Sequence, residues 1–139
     1  MQFTLYTDYS LRVLMHLAHG GTGLATTSEI ARAYDVSENH LVKIVHGLVK
    51  LGYVQSVRGK GGGIRLARPA GQINLADVVR DTEERLHLVE CLGGDGGACR
   101  LAPMCRLKGI LEQAQDDLLR SLARYTIEDL VQKHYLSRL

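Results

Sequence analysis

The first half of the chain alternates apolar and polar residues at helical spacing. In "TDYSLRVLMHLAH", residues 7–19, Leu11, Leu14, Met15 and Ala18 fall at i, i+3, i+4 and i+7, one face of a helix. Thr7 is placed to cap it, with Asp8 in the first turn, where the helix dipole favours a carboxylate. "TTSEIARAYDVSENHLVKIVHGLVKLG", residues 26–52, holds two shorter helical patterns. Thr26 and Glu29 form a capping box for the first, whose small apolar positions are Ile30, Ala31 and Ala33. "DVS" interrupts the pattern, and Ser37 can cap the second helix, with Leu41, Ile44, Val45 and Leu48 as its buried stripe. Gly52 follows Leu51 as the C-terminal stop. Two helices joined by a tight turn, the second amphipathic and polar at its start, predict a helix-turn-helix.

The period then changes to two. "YVQSV" and "IRLA" are short strand-like runs around the glycine-rich turn "RGKGGG", a β-hairpin placed as the wing of a winged helix. No helix start follows the glycines and there is no GK[ST], so this is not a phosphate-binding P-loop. Asn74 caps a helix through "LADVVRDTEERL", and "HLV" leads into a glycine-rich loop. Pro103 fits the first turn of a long helix in which Met104, Leu107, Leu111, Ala114 and Leu118 recur at three and four residues, the seam of a coiled-coil pair. Thr126 and Asp129 cap a last short helix, "IEDLVQKHYL". The expected fold is mainly α with a small β-hairpin wing. Residues 1–68 form a winged helix-turn-helix DNA-binding region, and residues 69–139 hold a cysteine loop and dimerisation helices.

Charge sharpens this division. Residues 1–68 carry eight Lys and Arg against four Asp and Glu; residues 69–139 carry nine against eleven. A basic first half points to phosphate contact. Hydrophobic residues make up 45% of the chain, with no Trp and one Phe, so the core must be aliphatic. No apolar run approaches the roughly 20 residues of a membrane span, and "MQFTLYTDYSLR" lacks the features of a signal peptide. The expectation is a soluble cytoplasmic protein, without a membrane partner, whose cysteines are reduced.

All three cysteines lie in "ECLGGDGGACRLAPMC", as Cys91-x7-Cys99-x5-Cys105. An odd count in a reducing compartment disfavours a disulfide. Structural zinc sites prefer closer pairs, and wide spacing in a glycine-rich loop suits a bulky iron–sulfur cluster better. Zinc and unligated thiols stay open. A fourth ligand cannot be Cys; His87 is near in sequence, Asp95 lies within the loop, and a second chain offers others. Beyond this loop there is no nucleophile–base pair and no cofactor fingerprint, so an enzyme is not expected.

"YTDYSLRVLMHLA", the stretch from Thr27 to Arg68 and the three-cysteine loop together resemble the bacterial winged-helix iron–sulfur transcriptional regulators, over essentially the whole chain. The "TDYSLR" start is most similar to their nitric-oxide-sensing NsrR branch. The IscR branch places a ligating His soon after its third Cys, and Lys108 and its neighbours offer none. The resemblance implies a homodimeric repressor that binds a palindromic double-stranded operator, senses nitric oxide and releases DNA when its cluster is nitrosylated. It implies a 4Fe–4S cluster ahead of 2Fe–2S, held by Cys91, Cys99, Cys105 and Asp8 of the partner subunit, with Arg12 beside the carboxylate. On residues alone, the stronger reading of Asp8 is a first-turn acid paired with Arg12 at i+4; the ligand role comes from the resemblance. A sensor of redox state or cluster supply, and a zinc-stabilised DNA-binding module, are the alternatives.

In such folds the start of the second helix enters the major groove. Here that places Ser37, Glu38, Asn39, His40 and Lys43 on DNA. Asn39 is suited to adenine, and Ser37 and Lys43 to phosphate. Arg58 and Lys60 at the wing tip suit a narrow minor groove. His16, His19, His46 and His134 receive no role.

Overall fold

The computed structural model describes residues 2–94 and 99–131. In chain order it has α1 (Leu5–His19), α2 (Thr27–Tyr34), α3 (Glu38–Lys50), β1 (Val54–Val57), β2 (Gly63–Leu66), α4 (Leu75–Thr82) and α5 (Arg106–Leu122). Short 3-10 turns punctuate the second half. The mainly helical winged helix-turn-helix architecture is as expected.

The N-cap of α1 is Thr4, not Thr7; the Thr4 side chain accepts from the Thr7 backbone N–H at 3.3 Å. The buried face is also rotated from the expected stripe: Thr7, Ser10, Val13, Leu14 and Leu17 face inward, while Leu11, Met15 and Ala18 are half-buried. The reason lies far along the chain. The Thr7 hydroxyl donates to Thr82 Oγ1 at 2.9 Å, and Thr82 donates to the Val78 carbonyl at 2.7 Å, so these hydroxyls can be buried. Glu83 leaves the helical conformation and accepts the Thr4 N–H at 2.7 Å and its hydroxyl at 3.1 Å. α4 therefore stops at Thr82, short of the expected Leu86, and clasps the start of α1.

α2 and α3 form as read. The Thr26–Glu29 capping box is complete, Asp35 takes the left-handed conformation at φ 52°, and Gly52 at φ 80° follows α3. Ile30 and Ala31 are buried and Ala33 is exposed. Ser37 occupies the N-cap of α3, but its side chain makes no capping bond. β1 and β2 pair antiparallel from Val54 opposite Leu66 to Val57 opposite Gly63.

One core joins these elements. Leu14, Leu17, Ile30, Leu41, Leu48, Tyr53 and Ile64 pack together with Ile73, Leu75, Val78 and Ile127 from the second half. Each fully buried aliphatic side chain contributes about 1.5–3 kcal/mol. The chain after α5 is stitched back by Ile127 N–H to the Ile73 carbonyl (2.9 Å) and Leu75 N–H to the Tyr125 carbonyl (3.0 Å).

α5 departs from expectation. Pro103 and Met104 sit in a separate 3-10 turn, and the helix begins at Arg106. Leu111, Leu118 and Leu122 are half-buried and Leu119 is buried, so part of the predicted seam serves this chain's own packing. Leu101, Met104, Leu107 and Ile110 are more than half exposed. Of the expected last helix, the described residues show a 3-10 turn, Glu128–Leu130, with Asp129 accepting from Thr126. Residues 132–139, including His134, lie outside the described residues, as does Asp95.

Candidate nucleic-acid interface and cysteine loop

The buried stripe of α3 fixes what its other face presents. With Leu41, Ile44, Val45 and Leu48 inward, Glu38, Asn39, Val42, Lys43 and His46 are exposed on the opposite side. Ser37 and His40 are exposed at the helix start. α2 packs against α3 through Ile30 and Ala31, and its Thr26 backbone and hydroxyl keep the Glu29 carboxyl below the usual carboxylate range.

The wing is anchored to the same frame. Ala25, just before α2, exchanges two backbone hydrogen bonds with Ile64 of β2, at 3.0 and 2.8 Å. A Cβ on Gly63 would run into the Ala25 carbonyl, and one on Gly62 into the Val57 carbonyl. The turn between the strands uses positive φ at Gly59 (103°) and Gly61 (75°). It holds Arg58 and Lys60 exposed at the tip.

Between α3 and the hairpin lies a groove lined by Thr27, Val42, His46, Lys50, Ser56 and Arg58. Of these, Thr27, Val42, His46, Lys50 and Ser56 were not singled out from sequence. Lys43, Lys50, Arg58 and Lys60 have no ion-pair partner among the described residues, so their charges are open to an outside anion. His16 is not part of this surface. Its ring meets Tyr34 edge-on at 5.8 Å, and burial lowers its pKa.

The cysteine loop lies in the second half of the chain. Cys91 is half-buried in the 3-10 turn Glu90–Leu92, Cys99 is exposed, and Cys105 is half-buried at the N-cap of α5. None is in a disulfide. Among the described residues no three Cys, His, Asp or Glu side chains converge on a metal-binding position. The loop thus offers three free soft donors, one of them at the start of α5. That donor set fits a thiolate-bound iron site and leaves a position to be filled. His87 lines a cavity with Phe3, Leu118 and Leu119.

Asp8 stands on the first turn of α1, gripped by Arg12: Nε to Oδ1 at 3.2 Å and a terminal nitrogen to Oδ2 at 2.8 Å. Both side chains are 42% exposed, so the carboxylate stays reachable from solvent. Arg12 also lies 5.5 Å from the centre of the Tyr9 ring, which fixes the fork from behind.

A profile described as an iron-dependent transcriptional regulator, Rrf2, matches residues 3–133. The chain belongs to the Rrf2 family. Rrf2 relatives include the HTH-type transcriptional regulator NsrR of Shouchella clausii, 46% identical over 94% of this chain and 89% of that protein. NsrR of Bacillus subtilis is also 46% identical, over 94% and 90%. Among solved Rrf2-like folds, CymR, the global cysteine regulator of B. subtilis, superimposes with a TM-score of 0.77 at 26% identity, covering 94% of this chain and 96% of that one. T. potens IscR gives 0.76 at 24% identity, covering 100% and 92%, which shows the fold. This Rrf2 protein is therefore an NsrR-type, DNA-binding transcriptional regulator of an iron-dependent family, and not an enzyme. No helix among the described residues is long and apolar enough to cross a membrane.

Proposed function

We propose that the protein is a cytoplasmic homodimeric repressor that occupies a palindromic operator and releases it in response to nitric oxide. The observation that carries this reading is the 46% identity to NsrR regulators across 94% of the chain. DNA contact falls to residues 1–68, and cofactor and subunit contact to residues 69–139. Ser37, Asn39, His40 and Lys43 on α3, with Arg58 and Lys60 on the wing, form the DNA surface. Their exposure and the unpaired cations support this.

Cys91, Cys99 and Cys105 would hold an iron–sulfur cluster of the 4Fe–4S type, with Asp8 of the partner subunit as the fourth ligand. When bound, the cluster supplies iron that reacts with nitric oxide. The chain's own residues do the rest. Arg12 holds the Asp8 carboxylate in one orientation and leaves it open on its solvent side. The exposed Leu101, Met104, Leu107 and Ile110 are the apolar surface a second copy would cover. Asp8 lies on α1 of the reading head and the cysteines lie beyond α4. A ligand set drawn from both subunits would therefore tie one head to the other's loop and set the spacing of two reading helices.

The test is anaerobic purification with absorption, iron and sulfide analysis, followed by operator titration with and without nitric oxide, apo protein alongside. Coloured protein that binds tightly and loses about a hundredfold in affinity, ~2.7 kcal/mol, supports the reading. A lost spectrum with unchanged affinity overturns the link between sensing and DNA. Colourless, zinc-loaded protein indifferent to nitric oxide overturns the cofactor.

A further inference from the structure

Two side chains on the exposed face of α3, Val42 and Val49, are of the wrong kind for their polar neighbours, and Val42 is the one near the helix start. Val42 is 38% exposed and is flanked on the helix surface by Glu38, Asn39, Lys43 and His46, all exposed and polar. It is not part of the core: the inward stripe is complete with Leu41, Ile44, Val45 and Leu48, each 5% exposed or less. It forms one wall of the groove toward the wing, opposite Ser56 and Arg58. Val49, equally exposed, lines the same groove but sits two turns further on, at the C-terminal end of α3, whereas Val42 is in the turn next to Asn39, where a reading helix meets base edges.

An isopropyl group can neither donate to nor accept from a base. On the wall of the major groove its one favourable partner is the 5-methyl group of thymine. Valine is suited to that contact, because β-branching in a helix leaves essentially one rotamer and its methyls are held in place before DNA arrives. We propose that Val42 is a specificity-determining residue that reads a thymine methyl in each half-site, beside the base read by Asn39. The inference rests on α3 being the reading helix, as argued above.

The test begins with the full chain, purified anaerobically, selecting its tightest duplex from a random-sequence pool. Each thymine of that duplex is then replaced in turn by uracil, which removes only the methyl group and keeps every hydrogen bond. One symmetric pair of positions is expected to cost wild-type protein roughly fourfold in affinity per half-site, the scale of one buried methyl. Val42→Ala, a good helix former at an exposed position, is expected to bind the thymine duplex with the same loss and to be indifferent to uracil at that pair. Val42→Thr, which keeps one methyl, should fall between. A palindrome whose uracil scan is flat, or a Val42→Ala protein as sensitive to uracil as wild type, overturns the assignment alone. Failure to select any palindrome overturns the reading of α3 and the assignment with it.

Discussion

Tyr53 donates its hydroxyl to Asp81 across 2.5 Å, joining the residue before β1 to the last turn of α4. Tyr53 is 1% exposed, and Arg68, just after β2 at the same open end of the hairpin, lies 4.8 Å from its ring centre. One side chain thus gathers both ends of the wing onto the helix that leads to the cysteine loop. Asp81→Ala leaves a buried hydroxyl unpaired and should lower the unfolding free energy by about 1–2 kcal/mol in urea titrations. Tyr53→Phe should cost less, because no donor is orphaned and exposed Asp81 regains water. A larger loss in Tyr53→Phe would contradict the strut.

The same contact sets an alkaline limit. Burial first, and then the hydrogen bond to Asp81, push the Tyr53 hydroxyl well above the usual phenol range. A raised pKa in the fold stabilises the protein below the unfolded value of about 10 and loses that contribution as pH rises further. Unfolding free energy should therefore decline above pH ~10, and Tyr53→Phe should flatten the decline. It should not abolish it, since burial also raises Tyr6 and Tyr34.

Asp8→Ala separates a ligand from a structural acid. The Asp8–Arg12 pair is 42% exposed on each side, so its loss should change apo-protein stability by less than about 1 kcal/mol. Cofactor retention, measured as iron and sulfide after anaerobic gel filtration, should fall severalfold. Full retention in the variant would remove Asp8 from the ligand set.

Gly47 sits under Tyr6: a Cβ there would run into the phenol hydroxyl. In an open helix, Gly→Ala stabilises by about 1 kcal/mol. Here crowding should reverse the sign, costing about 1–3 kcal/mol. The penalty should shrink in a Tyr6→Phe background, measured by thermal unfolding. A stabilised Gly47→Ala protein would show that Tyr6 moves aside freely.

Asn39→Ala and Arg58→Ala should differ in kind. The first should relax preference at one base pair at a cost of about 1–3 kcal/mol. The second should weaken mainly sites with a narrow, A·T-rich minor groove. Binding to a panel of single-base operator variants checks both, and equal losses on every variant would demote them to phosphate contacts.

The segment from Thr26 to Leu66 is legible from sequence because its signals are local. A capping box, a glycine after α3 and two strands around a glycine turn each act within a few residues. The face of α1 was misjudged because Thr7 and Ser10 are buried, and the Thr7 hydroxyl bonds to Thr82, far along the chain. Periodicity does not divide the α5 face between its own chain and a second copy: Leu118 is half-buried, whereas Met104 and Leu107 of the same row are exposed. Cysteine spacing marks the donors but not their convergence, which depends on contacts beyond the loop. Val42 was within reach: one residue after buried Leu41, it turns about 100° around the helix onto the polar face.

Ile127 completes the core that seats α3, and its side chain is fully buried there. On the ribosome, the DNA-reading head is therefore left unfinished until residue 127 has emerged. A product cut short before Ile127 lacks the last plug of that core, as well as the stitch to Ile73. Incomplete synthesis is consequently expected to leave the head's core open rather than to release a finished reading head. A head transplanted from this protein would likewise have to carry Ile127 and its stitch along with residues 1–68.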